Sequence, residues 1–327
     1  MALRGVLFQQ LLLGLMILAA TAAYQDSQPN SSCIYCGSLC IPYPFETRWG
    51  HYLDDSFHIN CDNTSGTPKP TLGYGGVEVL NISLDGELRV SSPVTRHCNY
   101  SDNSVQYIGS NFPISYKRNN LIGVGFSTLS YIGSSSGKMH GTGCVSLSSG
   151  LYDLFGRDDR VVNGSCSGIG CCNTSIPEGV TDFRVNVLSF LEDDSSCIFA
   201  FVVEKEAYKF STLDLDFLQN RTTVPVVLDW AVGNETCKYA QRNKTSYACK
   251  AANSTCHDSD NGPGYRCNCS SGFKGNPYVH DGCQGTNTYL VSYSYMIFFI
   301  LWLNLVCWIF ICILILLQVS GRCWLVA

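Results

Sequence analysis

The sequence is poor in charge: Asp, Glu, Lys and Arg make up 14% of its 327 residues, and the basic ones nowhere gather into a block. That scarcity argues against a nucleic-acid partner, which needs a basic patch or stripe. Histidine is equally thin, with His51, His58, His97, His140, His257 and His280 scattered and no nucleophile motif beside them, so nothing supports a hydrolase. No glycine-rich phosphate loop, His-Arg-Asp or Asp-Phe-Gly occurs, so these residues hold no phosphoryl-transfer machinery. No long stretch keeps a 3.6-residue apolar period, which excludes a helical bundle, and there is no internal repeat. No catalytic residue and no resident metal site is expected.

Cysteine, by contrast, is abundant. Of 19 cysteines, Cys307, Cys312 and Cys323 lie in or after a C-terminal apolar block, leaving 16 between Cys33 and Cys283. An even number at this density predicts up to eight disulfides in an oxidising compartment, and such a compartment disfavours the reduced thiolates of a zinc site. The Asn-x-Ser/Thr pattern of N-glycosylation falls at Asn30, Asn63, Asn81, Asn99, Asn163, Asn173, Asn220, Asn234, Asn243, Asn253 and Asn268. Those are 11 of the 19 asparagines between Tyr24 and Gly285, where chance would give about four. The excess predicts a sugar-bearing surface along the whole region. All 26 carboxylates fall between Tyr24 and Gly285, against 19 Lys and Arg, so the region is mildly acidic.

Two apolar segments frame it. Residues 1–23 carry Arg4, an apolar run from Val6 to Ala20 and small residues near Ala20-Thr21-Ala22, the pattern of a signal peptide. The run is about 15 residues, short of the roughly 20 that cross a bilayer. Residues 296–317 hold no charge and one strongly polar group, Asn304; as a helix they would reach about 33 Å, the thickness of a bilayer core. This predicts a single-pass helix, residues 318–327 as a short cytoplasmic tail and Arg322 on the inner side. A glycolipid-anchor signal is the alternative, since Ser292 and Ser294 precede the apolar tail.

Between these segments, short alternating runs bounded by turn residues predict a mostly β fold with much loop. Val77, Val79, Ile82 and Leu84 lead into Asp85-Gly86, then Leu88 and Val90 follow, a hairpin signal. Phe183, Val185 and Val187 alternate, while Cys197–Lys205 and Val224–Val232 are continuous apolar runs suited to buried strands. Ser211 or Thr212 is placed to cap one short helix over Leu213–Leu218. Cysteine spacing and turn clusters divide the region at 33–149, 150–236 and 237–283.

The third segment spaces Cys237, Cys249, Cys256, Cys267, Cys269 and Cys283 around GYRCNCSSGFKGNPY and resembles an epidermal-growth-factor-like module. Spacing alone allows 15 connectivities; the resemblance implies Cys237–Cys256, Cys249–Cys267 and Cys269–Cys283. Some such modules bind calcium through oxygens before the first cysteine, but Asn234-Glu235-Thr236 is out of step with that pattern, so calcium is the single cofactor to consider and none is expected. CIYCGSLCIPYPF (Cys33 to Phe45), SFHINC (Ser56 to Cys61) and HGTGCVSL (His140 to Leu147) resemble the galacturonan-binding domain of plant wall-associated receptor kinases. NGSCSGIGCCNTSIP (Asn163 to Pro177), with the two apolar runs, resembles their C-terminal wall-associated domain. Phe126 and Ser148 stand where relatives commonly have cysteines, and Cys40 where many do not, which leaves pairing in the first segment open.

The resemblance implies a cell-surface ectodomain that binds pectin or oligogalacturonides, anchored in the plasma membrane as a type I protein facing the wall. A uronate polymer calls for cationic forks and aromatic faces. The candidates are Tyr43, Phe45, Arg48, Trp49, Arg89, Arg96, Lys117 and Arg118. Tyr43 and Phe45 equally suit turn or core packing, and the cations a solvated surface. A protein-interaction ectodomain acting as co-receptor or decoy for full-length receptor kinases is the alternative function.

Overall fold

The computed structural model describes residues 33–64, 66–73, 76–98, 103–134, 139–147, 160–190, 197–285 and, further on, Trp302, Leu303, Val306 and Ile309. The expected signal peptide, Asn30, Asn99 and the short tail lie outside the described residues. Of the expected span 296–317, only the last four named residues are described, all helical and exposed. No helix among the described residues is long and apolar enough to cross a membrane.

The first segment forms strands β1 (Ile34–Cys36), β2 (Leu39–Ile41), β3 (Ile59–Asp62), β4 (Lys69–Leu72), β5 (Glu78–Ile82) and β6 (Glu87–Pro93). It continues with β7 (Thr95–His97), β8 (Tyr107–Ile108), β9 (Asn119–Val124), β10 (Thr128–Ser134) and β11 (Met139–Ser146). The second adds β12 (Cys171–Ser175), β13 (Phe183–Ser189), β14 (Ile198–Glu204), helix α1 (Asp214–Phe217) and β15 (Thr223–Asp229). The last holds α2 (Cys237–Ala240), β16 (Ser254–Asp258), β17 (Tyr265–Cys269), β18 (Phe273–Gly275) and β19 (Cys283–Gly285). The fold is mostly β, as its alternating runs dictate.

Local expectations and observed elements meet at several points. Asp85 and Gly86 close the β5–β6 hairpin; Gly86 sits at φ 103°, a conformation side-chain-bearing residues rarely adopt, and donates its N–H to Ser83 O. Phe183, Val185 and Val187 all point into the core from β13. Helix α1 forms where the sequence places one, but neither hydroxyl caps it in the usual sense. Instead the Asp214 carboxylate turns back to accept the Ser211 N–H at 2.8 Å.

Strands from both sides of the 149/150 division interleave. The order β15-β6-β5-β4-β3 makes a five-stranded sheet, β12-β9-β14-β7 and β11-β10-β13-β8 two four-stranded ones. β6 therefore finds β15 across more than a hundred residues of chain, with Glu87 opposite Asp229 and Val90 opposite Val226. Eight disulfides pair all 16 cysteines between Cys33 and Cys283. The first segment holds Cys33–Cys40 and Cys36–Cys61, while Cys98–Cys197, Cys144–Cys172 and Cys166–Cys171 tie the interleaved sheets. The last module carries Cys237–Cys256, Cys249–Cys267 and Cys269–Cys283, the first-to-third, second-to-fourth, fifth-to-sixth pattern.

Two apolar cores result. The larger centres on Trp230, fully buried, whose ring meets Phe45 at 5.4 Å, Phe57 at 5.7 Å and Tyr278 of the last module at 5.5 Å. The smaller lies on the other face of the β9–β14 sheet, where Ile122, Phe201 and Val203 are covered by Phe210 and Leu218. The last module is joined to the sheets by more than this ring contact. Val232 and Tyr265 exchange backbone hydrogen bonds at 2.8 and 3.1 Å. Asn261 Nδ2 donates to Ile114 O and to Asp229 Oδ2, both at 2.8 Å, and its Oδ1 accepts the Gly179 N–H. Asn276 Nδ2 donates to Tyr43 O.

Candidate functional site

The loop from Pro42 to Ile59 is built on an aromatic floor. Phe45 and Phe57 stack edge-on at 5.0 Å beneath it, and the backbones of Glu46 and His58 run side by side, with the Ile59 N–H donating to Glu46 O at 3.0 Å. The Glu46 carboxylate ties down the next turn: Oε1 accepts the N–H groups of Thr47 and Arg48 at 2.9 and 3.2 Å, and Oε2 accepts Arg48 Nη2 at 3.4 Å. Burial alone would raise this carboxyl's pKa, but the donated hydrogen bonds outweigh it and hold the group below its usual value. It is thus charged at neutral pH and fixes the backbone beneath Trp49.

Above this scaffold, Trp49 stands 70% exposed. Its ring meets Tyr52 at 6.0 Å and His58 at 6.2 Å, and these two meet at 5.1 Å, so three rings form one cluster; the neighbouring residue Arg48 is exposed and paired with Glu46. Tyr52 was no sequence candidate and His58 only one of six scattered histidines. The run Trp49-Gly50-His51-Tyr52 is the one local hint of a ring cluster there.

Phe45 is corrected: it is 1% exposed and belongs to the floor, out of reach of a polysaccharide. Tyr43 is half-buried; its carbonyl receives Asn276 and burial raises its hydroxyl's pKa. A turn accounts for the contrast: the Phe45 N–H donates to Pro42 O at 3.0 Å, which sets Phe45 into the core, while the loop that follows lifts Arg48 and Trp49 clear of it.

Arg89, Lys117 and Arg118 converge on a different surface, where carboxylates already hold them. Glu204 accepts Arg89 Nε at 2.7 Å and Arg118 Nη2 at 3.2 Å, and Glu87 lies 3.3 Å from Arg118 Nε. Lys117 pairs with Asp260, which also takes Arg266 Nη2 at 3.1 Å. A uronate arriving here would have to displace a protein carboxylate. Arg96 stands apart, its guanidinium 5.4 Å over the Phe199 ring. Glu204 as the common partner was not legible in sequence, because it comes from β14, far along the chain.

Among the described residues, no group of three or more His, Cys, Asp or Glu side chains could hold a metal ion. Within the last module, Asp258 Oδ1 accepts the Cys237 N–H. Of the sequon asparagines, Asn63, Asn81, Asn163, Asn173, Asn220, Asn234, Asn243 and Asn253 are exposed and Asn268 is half-buried.

Eight disulfides and interleaved β-sheets define a disulfide-stapled, mostly β ectodomain. The chain is related to the extracellular region of wall-associated receptor kinases. It is 36% identical to wall-associated receptor kinase 2 of Arabidopsis thaliana over 280 residues, covering 81% of this chain and 36% of that protein. Wall-associated receptor kinase 1 of the same plant is 33% identical over 80% of this chain and 35% of its own length, and wall-associated receptor kinase-like 17 is 29% identical over 85% and 41%. The chain thus spans little more than a third of the length of the first two, and its 327 residues include no kinase domain. No family model matches the chain, and no solved structure does.

Proposed function

We propose that this ectodomain faces the cell wall and binds an acidic wall polysaccharide, pectin or oligogalacturonide, on the Arg48–Trp49 loop. The observation that carries this reading is the exposed Trp49 ring on the loop above the buried Phe45–Phe57 floor, next in sequence to Arg48, whose exposed guanidinium spends one nitrogen on Glu46 at 3.4 Å and keeps further donors. An indole face covers the C–H face of a pyranose, and a guanidinium forks a carboxylate. Because the floor is rigid, little entropy is lost on binding. The sequons coat the rest of the ectodomain with sugar, and the apolar segment 296–317 anchors it in the plasma membrane as a single-pass type I protein.

The test is binding of a galacturonate oligomer to the secreted ectodomain. Trp49→Ala and Arg48→Ala each weaken binding roughly tenfold or more, and 0.5 M salt weakens the wild type through the Arg48 contact. Undiminished binding by both variants removes the loop from the account.

A second reading rests on the outer face of β11-β10-β13. There Val145, Leu129 and Leu188 stand in register across three strands, with exposed Leu147 and Phe190 beside them and no sequon on these strands. An exposed apolar face of this kind marks a protein partner, here the ectodomain of a full-length receptor kinase that this chain would join as co-receptor or decoy. Co-purification with such a kinase in the absence of pectin, abolished by Leu188→Asp, supports it; no association sinks it.

A further inference from the structure

The smaller core leaves an opening at its edge. Between the outer face of β12-β9-β14 and the covering segments 160–170 and 205–221 lies a pocket of about 170 Å³. Its floor is apolar: Ile122, Val203, Phe210 and the Cys166–Cys171 disulfide. One wall is the Tyr208 ring, edge-on to Phe201 at 5.0 Å, with its hydroxyl donating to Asp214 Oδ2 at 3.0 Å. Its rim is polar and cationic, formed by Asn120, Asn173, Lys205 and Lys209.

No carboxylate lines the pocket. In a chain with a net charge of −5, where Arg89, Lys117 and Arg118 are each matched by an acid, that is unusual. Lys205 Nζ donates once, to Lys117 O at 2.6 Å, and an ammonium has two further donors to offer. Lys209 has no hydrogen bond or ion pair among the described residues, and its stem lies along Gly164, where a Cβ would come within 3.1 Å of Lys209 Cε.

We infer that this pocket is a binding site for one carboxylate-bearing sugar ring, a uronate at the end of a chain. The apolar floor receives the C–H face of the ring, Asn120 a hydroxyl, and the two ammonium groups its carboxylate. The volume is well below the roughly 300–1,000 Å³ of pockets that enclose drug-sized ligands, so it admits one ring and not a polymer interior. The choice of a uronate rests on the acidic-polysaccharide reading above, but the residues are different ones. Asn173 also heads the sequon Asn173-Thr174-Ser175, so a glycan there stands in the mouth and competes with the ligand.

The experiment uses the full secreted ectodomain and galacturonic acid monomer, with galactose as the neutral control. Asn173→Gln is the background; enzymatic deglycosylation is avoided, because it converts Asn173 to aspartate and puts a carboxylate on the rim. Asn173→Gln binds galacturonate in the millimolar range and galactose at least tenfold more weakly. Adding Lys205→Met and Lys209→Met removes most of the binding, whereas Lys205→Arg with Lys209→Arg retains it, which separates lost charge from lost folding. The oligomer is titrated separately against Trp49→Ala, so a failure of the pocket and a failure of the loop look different. No saturable monomer binding to Asn173→Gln, equal binding of galactose, or indifference to both Met substitutions overturns the inference.

Discussion

Replacing Asn261 with alanine should loosen the joint between the last module and the sheets. The side chain is 1% exposed and makes three hydrogen bonds, to Ile114 O, to the Asp229 carboxylate and from the Gly179 N–H. Two neutral bonds at ~1 kcal/mol and one to a charged acceptor at ~2 kcal/mol give a loss of about 4 kcal/mol at neutral pH. For a body of this size that lowers the melting temperature by roughly 10 °C. The loss should also depend on pH. Burial raises the Asp229 pKa, while Asn261 and Ser115, by donating to it, pull it back. A carboxyl whose folded pKa lies above its unfolded one costs stability above the folded value, and that cost is relieved as pH falls towards the ordinary carboxylate range. Without Asn261 the Asp229 charge loses a donor, its pKa rises further, and acidification recovers about half of the deficit. Thermal unfolding at neutral and acidic pH measures both quantities, and hydrogen exchange at Val232 and Tyr265 reports the joint directly. A deficit below about 1 kcal/mol, or one that does not shrink on acidification in Asn261→Ala yet persists in Asp229→Asn, would refute this account of the joint.

The disulfides should differ in worth by loop length. Replacing Cys98 and Cys197, 99 residues apart, by serine costs about 4–5 kcal/mol, whereas the same change at Cys166 and Cys171, five apart, costs less by chain entropy alone; denaturant titration ranks them. Gly86→Ala meets two obstacles, a φ of 103° and a Cβ that would collide with the Arg266 side chain, so it destabilises by about 1–2 kcal/mol and releases Arg266 from Asp85 O. Trp49→Ala, in contrast, shifts the melting temperature by no more than about 2 °C, because its ring is mostly in water; a larger drop would make Trp49 a structural residue.

Much of this architecture is written locally. The Asp85-Gly86 turn needs a positive φ that glycine supplies, and β13 alternates because one face is buried, so both are readable from a few neighbouring residues. Strand order is not. β15 pairs with β6 and β14 with β7 and β9 because their apolar faces fit across the same core, a condition spread over the chain that no window reveals. The Arg48–Trp49 loop shows the same division. Chemistry alone marks Phe45 as it does Arg48 and Trp49, but only the edge-on packing of Phe45 against Phe57 and Trp230 decides which of these neighbours faces solvent. Glu204 and Asp260 neutralise cations from other strands, so the pairing that disqualifies Arg89, Lys117 and Arg118 as open forks is a tertiary fact. Lys205 and Lys209 carry no local signal of a site, because the residues they face on β12 and β9 are distant in sequence.

The hydrogen bond from Asn276 to Tyr43 O has a mechanical meaning. Tyr43 lies two residues before Phe45 in the turn that leads into the Arg48–Trp49 loop, and Asn276 is followed two residues on by Tyr278, whose ring rests on Trp230. A displacement of the backbone at Tyr43 therefore has a short route into the last module, through one hydrogen bond and, at Tyr278, one ring contact, that does not run through the sheets. Three disulfides cross-link that module internally, so it has little slack in which such a displacement could be lost.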